Sequence, residues 1–252
     1  WEKDIENMIP FIEGGYLDSL YNFNLSSKML TAAKNESTAY EYKEGEEVLT
    51  ENQNGDLNIV SDLIAYLDRC KEISNGEYID CPFLANHDQD RVMNQLEGDV
   101  NHARTAASML AMMPGNSFLY YEEELGATER RAMMPWSGEG MSVESAQAGE
   151  NGLYSYYKEI LNLKKDNEVL RTGDIDEYNT GDQGIVSFVR MTESQSVLVL
   201  INLTGETKEL DLEPSEKYGE FTKILFRSSD DTQSSLEGSH AKIQPYSMLV
   251  LE

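Results

Sequence analysis

The chain has 252 residues, 40% of them hydrophobic, with 46 Asp or Glu against 20 Lys or Arg for a formal charge of −26. Such a field argues strongly against a nucleic-acid partner, because an acidic surface repels phosphates and has no counterions to release. No apolar stretch approaches the ~20 residues of a bilayer span, and two cysteines, Cys70 and Cys81, are too few for a disulfide framework or a zinc site.

Apolar residues at helical spacing run from Ile5 to Ile12 and stop at Gly14-Gly15, so the first helix is expected there. Leu17 to Phe23 reads as a strand. Residues 34–56 are polar and rich in Glu, Asn and Gly, the composition of a surface insertion or loop. Leu57, Val60, Ile64, Leu67 and Ile73 mark a second helix, closed near Asn75-Gly76. Ile79 to Ala85 is a short apolar run, hemmed by Pro82, that ends abruptly in Asn86, His87 and Asp88. On a buried parallel strand, that ending places three polar side chains at the carboxyl edge, where barrel enzymes keep their chemistry. Cys70 and Cys81 lie in apolar contexts and are expected as buried free thiols.

Val100, Ala103, Ala107, Leu110 and Met113 line one stripe of a strong helix that Pro114-Gly115-Asn116 breaks. Phe118 to Tyr121 follows as a third strand, running into Glu122-Glu123-Glu124, of which one is expected to face inward and the others to be solvated. Leu153, Tyr156, Tyr157, Ile160 and Leu163 define a last helix. Their helical spacing assigns the tyrosines to core packing over sugar stacking. From about Leu170 the pattern changes to strand-like runs at 184–190, 196–202, 208–212, 221–226 and 247–251, the signature of an antiparallel β-sandwich of about 80 residues.

The expected fold class is therefore α/β followed by all-β, with one unit over 1–169 and a sandwich over 170–252. Three βα units do not close a cylinder, since a (β/α)8 barrel needs eight strands and about 250 residues. An open three-stranded parallel sheet would leave an edge unpaired and its faces underburied. The expectation is the carboxyl-terminal part of a longer polypeptide, carrying the last three βα units of a barrel and the sandwich behind it.

Four stretches carry a resemblance. Leu17-Asp18-Ser19-Leu20-Tyr21-Asn22-Phe23, Phe83 to Arg91, Pro114 to Gly126 and Met133-Met134-Pro135-Trp136 are similar to the sixth-strand, seventh-strand, eighth-strand and Met-Pro-Trp segments of the α-amylase family of glycoside hydrolases. That resemblance covers essentially the whole chain. It implies that Asp88 is the family's third catalytic carboxylate, which grips sugar hydroxyls as the oxocarbenium-like state forms. It implies substrate contacts from His87 and Asn86; Arg91 is taken with them as a substrate-side residue, with pinning local geometry or neutralising a neighbour as its other role and no catalytic step assigned to it. The nucleophile and the general acid of a retaining hydrolase would stand about 5–5.5 Å apart; by the resemblance both fall before Trp1. The substrate implied is a starch-like α-glucan or maltooligosaccharide, and the partner implied is the first half of the same polypeptide. No cofactor is evident in this segment, and a calcium ion, where one is carried, would be held by that first half. The compartment implied is the bacterial exterior or cell surface, with the cytoplasm as the alternative. A transglycosylase or isomerase of the same fold, or a non-catalytic amylase-like binding protein, are the competing functions. One departure stands out: Glu122 occupies a position where the family usually has Gly.

Overall fold

A computed structural model describes residues 5–35, 38–43, 46–51, 59–138 and 140–252, with only the backbone described for Ile5 and within 38–51. The amino-terminal half is helical around three short parallel segments. Its elements are α1 (Ile5–Glu13), α2 (Phe23–Lys34), the hairpin β1 (Thr38–Lys43) and β2 (Glu46–Glu51), α3 (Ile59–Ile73), α4 (Val92–Gln95), α5 (Val100–Met112), α6 (Val143–Gln147), α7 (Gly152–Asp166) and α8 (Glu168–Thr172). Two expectations are corrected here. The run Leu17–Phe23 is extended only up to Tyr21 and Asn22, because Phe23 already opens α2. Asn22 accepts a hydrogen bond from the Leu25 backbone N–H at 2.9 Å and so starts the helix. The helix was hidden by its polar residues, yet Leu25, Met29, Leu30 and Ala33 form a buried stripe. The polar stretch 34–56 is not a plain loop: Thr38–Lys43 pairs antiparallel with Glu46–Glu51, and its remaining residues from 36 on lie outside those described.

The parallel segments are joined by Tyr21 opposite Cys81 and Phe83 opposite Phe118, which sets Ile79–Ala85 in the middle. Backbone bonds from Asn22 to Cys81 (3.2 Å) and from Phe118 to Pro82 (2.8 Å) hold the three together. Their rings interlock edge to face. Phe83 meets Tyr21 at 5.5 Å and Phe23 at 4.9 Å, and Tyr21 meets Phe118 at 5.0 Å. Helices α2, α5 and α7 pack behind this layer. α5 is buried all round from Thr105 to Met112, so the stripe expected along it understates its burial, while Val100 at its start is exposed. Gly115 turns the chain out of α5 with φ +91, and a Cβ there would stand 2.4 Å from the Asp80 carbonyl, so the turn admits only glycine.

The carboxyl-terminal half holds β3 (Asp174–Glu177), β4 (Ile185–Met191), β5 (Ser196–Asn202), β6 (Lys208–Asp211), β7 (Ile224–Arg227), β8 (Ser235–Glu237), β9 (His240–Ile243) and β10 (Met248–Leu251). They form a five-stranded sheet, β3-β4-β5-β10-β7, over a three-stranded one, β6-β9-β8, all antiparallel. Three strands too short for a sequence period, β3, β8 and β9, were not anticipated. Alternate residues of the large sheet serve two cores. Ile185, Val189, Leu198, Leu200 and Leu249 face the small sheet, whereas Val186, Phe188, Val197, Val199 and Val250 belong to the core of the helical half. That double burial is why β5 reads as an uninterrupted apolar run.

The sandwich therefore shares its core with the helices, and the boundary expected at 169/170 falls inside α8. Two cations bond the carbonyls left without intrahelical partners at the carboxyl end of α5, and the buried Arg190 among them ties the halves. Arg190 of β4 donates to the carbonyls of Met112 (2.6 Å) and Gly173 (2.7 Å). Lys164 of α7 donates to the carbonyls of Met113 (2.9 Å) and Gly115 (3.0 Å) and to Ser117 Oγ (3.0 Å). Burial lowers the Lys164 ammonium to about 7, with the Arg190 charge acting in the same direction.

Candidate functional site

The middle segment ends where the sequence places its polar trio. The chain turns over Asn86–Gln89, with Gln89 N–H donating to the Asn86 carbonyl at 3.2 Å. Asn86 Oδ1 accepts from the Asp88 N–H at 2.9 Å, an Asx turn that fixes Asp88 just past the strand. His87 and Asp88 are open to solvent, their side chains 64% and 43% exposed, and His87 Nε2 lies 3.5 Å from Asp88 Oδ1.

A loop after the third parallel segment is laced onto this turn. Arg131 donates to the His87 carbonyl at 2.9 Å and to Asp88 Oδ1 at 3.1 Å. Arg130 donates to the Gln89 carbonyl at 3.1 Å and pairs with Asp90 at 3.3 Å. Asp88 Oδ2 has no hydrogen-bond partner among the described residues, so one carboxylate oxygen is anchored and the other is open. Neither arginine was singled out in the sequence. The usable signal was a basic doublet within an acidic chain, directly after the third strand.

Arg91 does not stand where a substrate-binding residue would, and that expectation is corrected. The residue is 1% exposed. Its guanidinium donates to Glu122 Oε2 at 2.9 Å, to the Glu129 carbonyl at 2.8 Å and to the Tyr121 carbonyl. It also lies against the rings of Tyr120 and Tyr121, which meet each other edge to face, 4.3 Å and 4.5 Å from their centroids. Arg91 holds the Tyr120–Glu129 loop against the turn that carries Asp88. Glu122 explains its own departure from the family pattern: its φ is +67, a left-handed conformation that glycine takes without strain. The Arg91 pair stabilises the conformation. Burial raises the Glu122 carboxyl above its ordinary range, with Arg91 pulling the other way.

The glutamate run is a second correction, because two of the three are buried. Glu123 accepts from the Tyr157 hydroxyl at 3.0 Å, and burial pushes its carboxyl from 4.5 up to about 8. Its proton is therefore held in the folded state and lost in the unfolded one between those values. Stability from this group is full below pH 4.5 and falls as pH rises to about 8. Between pH 6.5 and 8 the expected loss is about 1.4 kcal/mol per pH unit. Glu123→Gln should flatten that slope, as urea midpoints at the two pH values will read; equal slopes would show that Glu123 is ionised when folded.

Asp80, six residues before Asn86, was also missed. It is buried and receives Asn22 Nδ2 at 3.1 Å and the Tyr78 hydroxyl at 3.1 Å, with the Tyr66 hydroxyl 2.8 Å beyond. Burial raises its carboxyl to about 6. At about 3.3 Å per extended residue it lies about 20 Å from the polar turn and joins the strands instead of facing the site. Cys70 is buried as expected, but Cys81 is only half-buried; both are free. Among the described residues no three His, Cys, Asp or Glu side chains converge on a metal-sized site, and no helix is long and apolar enough to cross a membrane.

Parallel βα units that deliver a polar turn at one strand's carboxyl end, backed by an antiparallel sandwich, define the class of barrel-and-sandwich folds. The family profile for the alpha amylase catalytic domain matches residues 1–137, and that for the alpha-amylase SusG C-terminal domain matches residues 185–250. The chain belongs to the alpha-amylase family. It is 25% identical to alpha-amylase 3 of Dictyoglomus thermophilum, over 78% of this chain and 42% of that one. It is 22% identical to alpha-amylase SusG of Bacteroides thetaiotaomicron, over 70% of this chain and 30% of that one. Among solved structures, an alpha-amylase from H. orenii superposes with a TM-score of 0.77 at 28% identity, over 100% of this chain and 52% of that chain. The chain thus spans about half the length of the relatives it matches, or less. Its fold is that of the last three βα units of their (β/α)8 barrel with the sandwich that follows.

Proposed function

We propose that this chain supplies the third catalytic carboxylate, Asp88, of a retaining hydrolase acting on α-glucosidic bonds of starch or maltooligosaccharides. The observation that carries the reading is the half-anchored carboxylate. Arg131 fixes Asp88 Oδ1 at 3.1 Å while Oδ2 stays open at the carboxyl end of a parallel strand. A carboxylate held this way accepts hydroxyl hydrogen bonds from a bound sugar. Those bonds strengthen as positive charge develops on the ring, and they stabilise the transition state more than the ground state. His87, next to it and exposed, donates to the same sugar, and the Asn86 side chain sets the turn that presents both. Arg131 positions Asp88 directly, and Arg91 bonds the loop that leads to Arg131.

Double displacement also requires a nucleophile and an acid/base carboxylate, one attacking the anomeric carbon and the other protonating the leaving oxygen. Among the described carboxylates near Asp88, Asp90 pairs with Arg130, Glu122 with Arg91, and Glu123 is buried against Tyr157. In this reading both come from residues outside the 252, on the remaining strands of one barrel. The exposed rings of Tyr21 and the exposed side chain of Ile79 are the surface those strands would cover. The purified chain should release no reducing sugar from starch, and activity should appear when it is joined to the rest of the barrel. Hydrolysis by the chain alone, or none by the joined protein, overturns the reading.

A further inference from the structure

The turn that opens the third parallel segment is gripped from two sides. On one side, Lys164 of α7 meets three neutral acceptors: the Met113 carbonyl at 2.9 Å, the Gly115 carbonyl at 3.0 Å and Ser117 Oγ at 3.0 Å. On the other, the Asp80 carbonyl accepts from the Asn116 N–H at 2.9 Å and leaves no room for a Cβ on Gly115. Two residues further on, the Phe118 N–H donates to the Pro82 carbonyl at 2.8 Å, the bond that sets the third segment beside the middle one.

Neither ionisable group can change its charge without losing a bond. An ammonium has three donors and no acceptor, so a neutral amine at Lys164 would drop one of its bonds and turn a lone pair toward an oxygen. Asp80 is buried and receives donors only, from Asn22 Nδ2, the Tyr78 hydroxyl and the Cys81 backbone, so an added proton would face one of them. Burial acts first on both groups, lowering the ammonium to about 7 and raising the carboxyl to about 6. Arg190 of β4 pushes the ammonium further down, while Asp80 and Lys164 each favour the other's charge. The remaining ionisable groups stand further off. Lys165 and Asp166 on α7 are exposed, and Arg171 of α8 bonds the Lys165 carbonyl. α5 brings only His102 and Arg104, near its amino end. α3 brings Tyr66, behind Tyr78, and Lys71, paired with Asp174.

We propose that the Gly115 turn is a proton-operated hinge: Lys164 and Asp80 clamp the start of the third parallel segment while both are charged, and loss of either charge loosens it. The clamp is closed between about pH 6 and about pH 7 and opens on either side. It lies at the amino end of the segment, whereas Asp88 lies past the carboxyl end of the middle one, so it does not depend on the α-glucan reading.

Amide spectra and hydrogen exchange of the full chain, from about pH 5 to about pH 8.5, test the hinge. The amides of Gly115, Asn116 and Ser117 should shift in two steps, near pH 6 and near pH 7. Protection of the Phe118 amide, corrected for the intrinsic exchange rate, should fall about fivefold on either side of the window, the loss of about one hydrogen bond. Lys164→Arg, which stays charged, should abolish the upper step and keep the Phe118 amide protected on the alkaline side. Asp80→Asn should remove the lower step alone. The hinge is overturned if either step is absent from the parent or if both persist in these two variants. It is also overturned if the upper step vanishes in Glu123→Gln, which would assign that step to the carboxyl bonded to Tyr157.

Discussion

Asp88→Asn in the joined, active protein is expected to lower kcat by about 10²–10³-fold while KM changes far less. The side chain keeps its shape and one acceptor oxygen, so ground-state hydroxyl contacts largely survive. What goes is the negative charge beside a ring that becomes positive only at the transition state. A unit charge pair about 4 Å apart at an effective dielectric of about 20 is worth about 4 kcal/mol, the same order as the rate loss. Arg131 also loses its ionic partner, leaving a cation where the developing charge needs an anion. Single-turnover hydrolysis of maltotriose reads the chemical step directly. A variant with the parent's kcat would remove Asp88 from the mechanism.

Arg91→Ala should destabilise the chain by about 3–5 kcal/mol, because it strands the Glu122 carboxylate in a site 2% exposed. Two backbone carbonyls, of Tyr121 and Glu129, lose their donors in the same step. For a chain of this size that is a fall in Tm on the order of 10 °C. Lysine should not rescue it, since a compact ammonium cannot span acceptors as far apart as Glu122 Oε2 and the Glu129 carbonyl from one planar fork while covering the tyrosine rings. The decisive comparison is with Arg91→Ala combined with Glu122→Gly. Removing the orphaned carboxylate and relaxing the φ of +67 should recover part of the loss, about 1–2 kcal/mol from the backbone alone. Thermal melts of the parent, the single and the double variant give the answer. A double variant less stable than Arg91→Ala would mean that Glu122 holds the loop by something other than this pair.

Both expectations concern one arrangement, in which the buried Arg91 just past the Asp88 turn bonds the Tyr121–Glu129 loop and the exposed Arg131 that follows this loop bonds Asp88 itself. The buried contact is a stability element. The exposed one, with side chains 60% and 43% open, contributes little to stability and acts on geometry and charge.

Apolar spacing alone was enough to read most of the helices, the change to β structure after Leu170, and the position of Asn86-His87-Asp88 at a strand end. These are readable because burial imposes periods of 3.6 and 2 on apolar residues and because a polar trio breaks such a run visibly. What Arg91 bonds, that Arg131 anchors Asp88, and that Glu122 sits in a left-handed turn follow from the folded chain alone. A guanidinium looks the same in sequence whether it faces a sugar or a carbonyl; which it meets depends on residues 30 to 44 positions away. The shared core was likewise out of reach. A strand buried on both faces and one buried on a single face by longer side chains differ in what packs against them, and that is set by distant helices.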